Sequence, residues 1–284
     1  MFFTNLCNWL LNNIDRLLLG RFLNAHAVGI YTIGYNLANT PNSLFLTALQ
    51  PAFLAAGTKL QDDPARLREA YVAIQASVWI LVAPVFVLLS CVAPQLIAVL
   101  YGPGWEPSGP VLATLALAMP AYVCWGLSTP VLWNTGGKHL ESILQVPVLA
   151  GAAVALWLFA AQGPLMAALV AAGTLIARAL VIATAACVRL KVDPASIGAI
   201  AWRSALLMAA TAAGAYAGQA LAPLQQLAIV QLAAGLVGGV LLPLVAVLAW
   251  PALMGRRVID MLGRFSPPVP ARLGVYLRSK CSIG

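Results

Sequence analysis

The sequence predicts an all-α, polytopic membrane protein with about eight transmembrane helices, each needing roughly 20 residues to cross the bilayer. Of its 284 residues, 62% are hydrophobic and only 8% are charged. A soluble domain averages about 45–50% apolar and about 25% charged residues, so no soluble packing could bury this much apolar surface. The confinement of Lys and Arg to alternate connections between the apolar stretches supports the same fold class.

The apolar stretches give the position of each predicted span. We place the spans at residues 3–22, 28–57, 70–91, 109–133, 142–160, 164–188, 202–221 and 226–250. Between the third and fourth spans, the segment APQLIAVLYGPGW predicts a short interfacial helix, a Gly-Pro-Gly turn and a tryptophan at headgroup depth. The last two spans contain GxxxG motifs (Gly214 with Gly218, Gly235 with Gly239), which predict two closely packed helices.

The distribution of basic residues indicates the orientation. Lys and Arg occur after spans two, four, six and eight, whereas the connections after spans three, five and seven contain none. By the positive-inside rule, both termini and the even-numbered connections are cytoplasmic. The net charge of +8 follows from this topology and gives no reason to expect nucleic acid as a partner. The basic, proline-rich segment 251–284 is expected to be a cytoplasmic tail attracted to anionic lipid.

Polar residues form a stripe on each of the first two spans. The stripe of span one contains Asn5, Asn8, Asn12, Asp15 and Arg16, and that of span two contains Thr32, Asn36, Asn39, Ser43, Thr47 and Gln50. Steps of three and four residues put each set on one helical face. Two interpretations fit the neutral residues: a dry seam in which polar side chains bond across packed helices, or a hydrated cavity.

Charged residues within the spans favour the cavity. A charge near the middle of the bilayer costs about 2.5–3.5 kcal/mol even on a lenient insertion scale. Asp15 and Arg16 are adjacent and point about 100° apart on a helix, so they cannot simply neutralise each other. We therefore expect their helix to face water. Arg178, in the sixth span, either faces the same cavity or extends to the inner membrane interface.

Motifs for catalysis, nucleotide binding and metal binding are absent from the sequence. It contains no GxxxxGK[ST] loop, HExxH helix or GxSxG turn. The five cysteines are scattered without CxxC or Cys/His spacing, so we expect neither a disulfide nor a metal site. We expect a protein that is not an enzyme and has no cofactor; coupling to a proton or sodium gradient is compatible with this expectation.

Three segments carry a resemblance to a known family: NNIDRLLLGRFLNAHAVGIYTIGYNLANTP at 12–41, LQDDPARLREAY at 60–71 and VLYGPGWEPSGPVLATLALA at 99–118. As a set they resemble the polysaccharide flippases of the MOP superfamily, the Wzx-type lipopolysaccharide biosynthesis proteins. The resemblance implies a six-helix lobe at residues 1–190, two additional helices at 191–250 and a tail at 251–284. Family members have two such lobes around a central cavity, so we expect this chain to be a truncated or split product, or the C-terminal part of a longer transporter.

The resemblance also implies a substrate, an undecaprenyl-diphosphate-linked oligosaccharide that is moved across the bacterial inner membrane. The implied partners are this lipid-linked oligosaccharide, membrane lipids, and a first lobe or polysaccharide assembly proteins. Arg16, with Arg178 as second choice, is then expected to bind the diphosphate, since Arg donates charge-assisted hydrogen bonds to phosphate. Asp15 either holds the neighbourhood of Arg16 in register or carries a coupling proton. The residues expected to face the glycan are Asn36, Asn39, Ser43 and Gln50, and Asn12 is a further substrate-binding candidate.

Two other functions remain open at this point. A MATE-like exporter of small molecules would share the fold, but it would need acidic cavity residues more than Arg16 and Arg178. An inactive fragment or membrane scaffold would also fit the missing first lobe.

Overall fold

The computed structural model describes residues 13, 15–60, 63–222, 227–255 and 258, and the regular secondary structure of these residues is helical throughout. A helix over residues 15–22 (α1) precedes nine further α-helices. These are α2 (Ala25–Leu60), α3 (Pro64–Ser77), α4 (Ala83–Cys91), α5 (Ala93–Tyr101), α6 (Ser108–Asn134), α7 (Lys138–Phe159), α8 (Pro164–Leu190), α9 (Pro194–Leu221) and α10 (Ala228–Ala249). The π-helix Val78–Val82 joins α3 to α4 into one continuous rod.

Six helical segments of the described residues are long and apolar enough to cross a membrane. They are Pro64–Cys91, Ser108–Asn134, His139–Gln162, Pro164–Leu190, Pro194–Leu221 and Ala228–Ala249, which correspond to predicted spans three to eight. Predicted span two is α2, which has 36 residues but carries the polar stripe and is not among the six. Most of predicted span one lies outside the described residues. The all-α, polytopic fold class is confirmed.

Two helices begin earlier than predicted, because each has an Asp-Pro start signal. Asp63 precedes α3 and its side chain accepts a hydrogen bond from the backbone N–H of Arg66 at 3.1 Å. Asp193 precedes α9 and accepts from the N–H of Ala195 at 3.1 Å. Aspartate caps the free N–H groups of a first turn, and proline in that turn needs no N–H partner. Arg203, at the start of predicted span seven, therefore lies well inside α9.

Helix α6 is the centre of the packing, with α2 on one side and α8 on the other. Gly34 of α2 allows the closest approach, since a Cβ atom there would lie 2.7 Å from Cγ1 of Val111 and 2.9 Å from the backbone nitrogen of Leu112. A side chain at position 34 would therefore push α2 away from α6. This close contact holds α2 directly against α6.

Helices α9 and α10 contact each other through small residues, as the GxxxG motifs predict. A Cβ atom at Gly214 would lie 2.2 Å from the carbonyl oxygen of Gly238, and one at Gly218 would lie 2.1 Å from that of Ala234. The prediction of close packing is confirmed, and Gly235 and Gly239 also contact α9: a Cβ atom at Gly235 would lie 2.9 Å from Nε2 of Gln219, and one at Gly239 would lie 3.2 Å from Cβ of Ala215. The pair also packs against α4 and α5.

Candidate functional site

The two adjacent charges of α1 bind different partners. The carboxylate of Asp15 is buried and accepts a hydrogen bond from the hydroxyl of Tyr31 in α2. It also accepts from the backbone N–H of Arg16 at 2.9 Å. The side chain of Arg16 instead donates through Nη1 to Oδ1 of Asn13, also at 2.9 Å. The guanidinium of Arg16 thus forms no ion pair within the part of the chain that the structure describes.

The guanidinium of Arg16 lies against the aromatic side chains of α2. Its central carbon is 4.6 Å from the ring centroid of Tyr35, a distance at which the ring face attracts a cation. Tyr35 stacks on Tyr31 with ring centroids 6.2 Å apart. The Nε atom of Arg16 is buried and has no hydrogen-bond partner among the described residues. Within the described part of the chain, Arg16 therefore has one donor without a partner, and buried donors are normally satisfied.

Arg178 has a similar environment on α8. Its Nε and Nη2 donate to Oε1 of Gln145 in α7 at 3.0 and 2.7 Å. Its guanidinium carbon lies 4.2 Å from the ring centroid of Trp125 in α6. Trp125 stacks on Tyr122 with ring centroids 5.1 Å apart. The side chain thus points between α6 and α7, toward the interior of the helix group.

A carboxylate lies beyond Gln145. Glu141 accepts a hydrogen bond from Nε2 of Gln145 at 2.8 Å. It also accepts from Oγ1 of Thr129 at 3.2 Å and from the indole Nε1 of Trp133 at 2.6 Å. Gln145 therefore lies between the positive Arg178 and the negative Glu141, and the two charges form no direct ion pair.

The two arginine sites lie near each other across α2 and α6. Tyr35 is close enough to interact electrostatically with both guanidinium groups and with Tyr122. We call the set formed by Tyr31, Tyr35, Tyr122 and Trp125 the aromatic band. It runs across α2 and α6 with Arg16 at one end and Arg178 at the other. Tyr31 is fully buried, whereas Tyr35, Tyr122 and Trp125 are partly exposed. A positive group at each end of these three rings is suited to an anionic ligand with stackable or apolar faces.

The structure divides the α2 stripe into exposed and bonded residues. Asn36 and Ser43 are exposed, and the Ser43 hydroxyl donates to the carbonyl of Thr40 in its own helix at 2.8 Å. Asn39 is partly buried and accepts from Nδ2 of Asn42 at 2.9 Å. The exposed residues form an open polar face beside the aromatic band.

Gln50 is turned toward α6. Its Nε2 donates to the carbonyl oxygen of Gly126 at 3.1 Å. That carbonyl would normally bond to the N–H four residues later, but this residue is Pro130, which has none. Gln50 therefore satisfies a carbonyl that proline leaves free, so its donor is occupied within the chain.

The structure brings together most of the predicted site residues and adds several that the sequence did not indicate. Asp15 and Arg16 lie near one end of the band and Arg178 at the other, the polar stripe runs along α2 from residue 32 to residue 50, and Asn12 lies outside the described residues. Residues that sequence reasoning missed are Tyr122, Trp125, Glu141 and Gln145. Glu141 was overlooked because the predicted span began one residue after it. No group of three or more metal-binding side chains occurs among the described residues.

Comparison with known proteins identifies similar sequences for part of the chain. Residues 1–110 match the family described as "Polysaccharide biosynthesis protein". The lipopolysaccharide biosynthesis protein WzxC of Escherichia coli K12 is 31% identical over 117 residues, which is 40% of this chain and 23% of WzxC. The amylovoran biosynthesis protein AmsL of Erwinia amylovora is 25% identical over 150 residues, which is 50% of this chain and 39% of AmsL. The teichuronic acid biosynthesis protein TuaB of Bacillus subtilis is 28% identical over 118 residues, which is 40% of this chain and 24% of TuaB.

The matched region has a limited extent. The chain matches between 23% and 39% of the length of these three relatives. The family match includes Asp15, Arg16 and the α2 stripe but ends before Arg178. No solved structure matches the chain. The predicted resemblance to Wzx-type polysaccharide biosynthesis proteins is confirmed by these similarities.

Proposed function

We propose that the chain acts in polysaccharide biosynthesis as a flippase, moving a diphosphate-linked oligosaccharide on a polyprenyl lipid across the bacterial inner membrane. The observation that carries this proposal is the aromatic band with an arginine at each end. Guanidinium groups bind phosphate oxygens in a planar, bidentate geometry. Sugar rings have apolar faces that pack on aromatic rings and hydroxyls that suit amide and hydroxyl side chains.

The state of the carboxylates supports an anionic substrate. Asp15 accepts from Tyr31, and Glu141 accepts from Gln145, Thr129 and Trp133. A MATE-like exporter of cations would need carboxylates that are available to its substrate. In this site the carboxylates are occupied by donors of the chain, whereas Arg16 has a buried Nε without a partner among the described residues.

The proposed transporter is not an enzyme and uses no cofactor. Both termini are cytoplasmic, and residues 1–190 form one lobe, followed by two additional helices and a basic tail. The exposed polar face of α2 forms one wall of the pathway, and a first lobe or an assembly protein supplies the opposite wall. Gradient coupling by protons or sodium then drives the movement.

A complementation assay tests the proposal. The full-length transporter is expressed in a host that lacks its own exporter of polysaccharide repeat units, and surface glycan is measured. Arg16→Ala is expected to abolish export, because the diphosphate would lose a charge-assisted hydrogen-bond donor. Arg21→Ala, at the exposed end of the same helix, is the matched control and should retain export. Full export by Arg16→Ala at normal expression would remove Arg16 from the mechanism.

A further inference from the structure

The arrangement around Arg178 has a neutral spacer between two opposite charges. Gln145 offers one oxygen to two donors of the guanidinium, and its amide nitrogen donates to Glu141. A guanidinium has five N–H groups, so these two hydrogen bonds leave further donors for a ligand. Gln145 is neutral, so it does not cancel the positive charge of Arg178.

Glu141 fixes the orientation of this spacer. Three donors hold its carboxylate on the far side of Gln145 from Arg178: Thr129 at 3.2 Å, Trp133 at 2.6 Å and Gln145 at 2.8 Å. A carboxylate accepts only, and a guanidinium donates only. The amide of Gln145 therefore has one arrangement that satisfies both neighbours, with its nitrogen toward Glu141 and its oxygen toward Arg178.

A direct ion pair between Glu141 and Arg178 would make Arg178 less available to a ligand. Carboxylate and guanidinium form two parallel, charge-assisted hydrogen bonds, about twice as strong as neutral ones. Such a pair would compete with any anion for Arg178. An amide oxygen is a weaker acceptor, and a diphosphate oxygen can displace it at lower cost.

We propose that Gln145, oriented by Glu141, is a positioning residue that keeps Arg178 available to the diphosphate and sets the affinity of this site. The inference rests on the proposed function, because it takes a diphosphate as the ligand. It assigns α7 a role in substrate binding that the sequence did not indicate.

Equilibrium binding to the purified 284-residue chain in phosphatidylcholine nanodiscs tests this role. The probe is radiolabelled farnesyl diphosphate, and farnesol measures binding of the hydrocarbon tail alone. Gln145→Glu places a carboxylate directly on Arg178 and should weaken diphosphate binding at least about tenfold, the scale of a hydrogen bond to a charged group. Glu141→Gln keeps an acceptor oxygen for the amide of Gln145 but removes a negative charge near Arg178, and should tighten binding about threefold, the scale of one charge interaction in a hydrated site.

The opposite directions of these two isosteric changes separate positioning from structural damage, since damage would weaken binding in both. Gln162→Glu and Glu69→Gln make the same chemical changes at exposed positions and should leave affinity unchanged. Farnesol binding should be equal in all variants.

Two results would overturn the inference in distinguishable ways. If Arg178→Gln weakens binding but Gln145→Glu and Glu141→Gln do not change it, the positioning role is wrong and the proposed function stands. If the wild-type chain binds farnesol as tightly as farnesyl diphosphate, no diphosphate site exists and the proposed function fails as well.

Discussion

In the group formed by α2, α6 and α8, charged, amide and aromatic side chains lie between the helices, whereas α9 and α10 contact each other through glycine and alanine. The two regions also differ in burial. Within their most apolar stretches, 72% of α6 is buried inside the protein, compared with 11% of α10. Helix α6 thus has protein on most sides, and α10 presents most of its surface to its surroundings.

This comparison separates the polar groups that helix packing requires from those that it does not require. Association of α9 with α10 needs only small residues that let the backbones approach. In the first region, Gln50 also has a packing role, because it satisfies a carbonyl next to a proline. Arg16 and Arg178 also contact neighbouring helices, but helix packing does not require a charge, and the cost of a charge in a membrane makes both residues candidates for function.

The largest effect on stability is expected from Gly218→Leu. A Cβ atom at this position would lie 2.1 Å from a backbone oxygen of α10, and two rigid helices must separate to accept it. Overpacking costs about 1–3 kcal/mol and this backbone contact should reach the upper end. The measurement is reversible unfolding in mixed detergent micelles, with farnesyl diphosphate binding as the second readout.

Gly198→Leu is the matched control, because a Cβ atom at this position of α9 would have no neighbour within 4 Å. Diphosphate binding should persist in both variants, since the aromatic band lies on other helices. Loss of binding in Gly218→Leu, with α6 still folded, would show that the two regions depend on each other.

The helices themselves could be predicted from hydrophobic stretches, and particular residues show where this failed. Asp193 and Pro194 mark the start of α9, yet the start was placed at residue 202 because hydropathy was used in preference to the cap signal. The GxxxG motif of α10 predicts Gly235 and Gly239 at this contact, and both contact α9, but Ala234 and Gly238 approach Gly218 and Gly214 more closely. Sequence spacing gives the period of the motif, but only the packed pair of helices shows that a second set, one position earlier, shares the contact.

A smaller loss of stability is expected from Tyr31→Phe. This change removes the hydroxyl that donates to the buried carboxylate of Asp15, and an unsatisfied buried group costs about 1–3 kcal/mol. In a double-mutant cycle, Asp15→Asn should reduce this cost, because a neutral amide needs the donor less than a carboxylate does. Tyr101→Phe, at an exposed position, is the control. An unchanged free energy of unfolding in Tyr31→Phe would mean that water replaces the hydroxyl.

Gln50→Met should cost about 1 kcal/mol, the net value of one hydrogen bond. Methionine keeps the length of the side chain but cannot donate to the carbonyl of Gly126. The cost should largely disappear in the background Pro130→Ala, because alanine restores the N–H that this carbonyl lacks. Unfolding of the four proteins in the cycle gives the coupling energy. Equal costs in both backgrounds would show that Gln50 acts through packing alone.

The site was only half predictable for a related reason. Arg16 and Arg178 are visible in the sequence because a charge within an apolar stretch is rare. Gln145 and Trp125 are ordinary residues of a membrane helix, and only their contacts with Arg178 distinguish them. These contacts join α6, α7 and α8, and no periodicity within a single helix predicts which side chains of three helices meet.

The smallest change in stability, within about 0.5 kcal/mol, is expected from Ser43→Cys and Val237→Cys, since both positions are on the surface. The two positions differ in their surroundings: we expect water at position 43 and lipid at position 237. Ser43 belongs to the polar face of α2, whereas Val237 is 57% exposed on apolar α10. With the native cysteines replaced by alanine, a charged aqueous maleimide should label position 43 in intact membranes and leave position 237 unlabelled. If neither position is labelled, water does not reach the α2 stripe. Its polar residues would then serve helix association, as the small residues of α9 and α10 do, and α2 would not line a transport pathway.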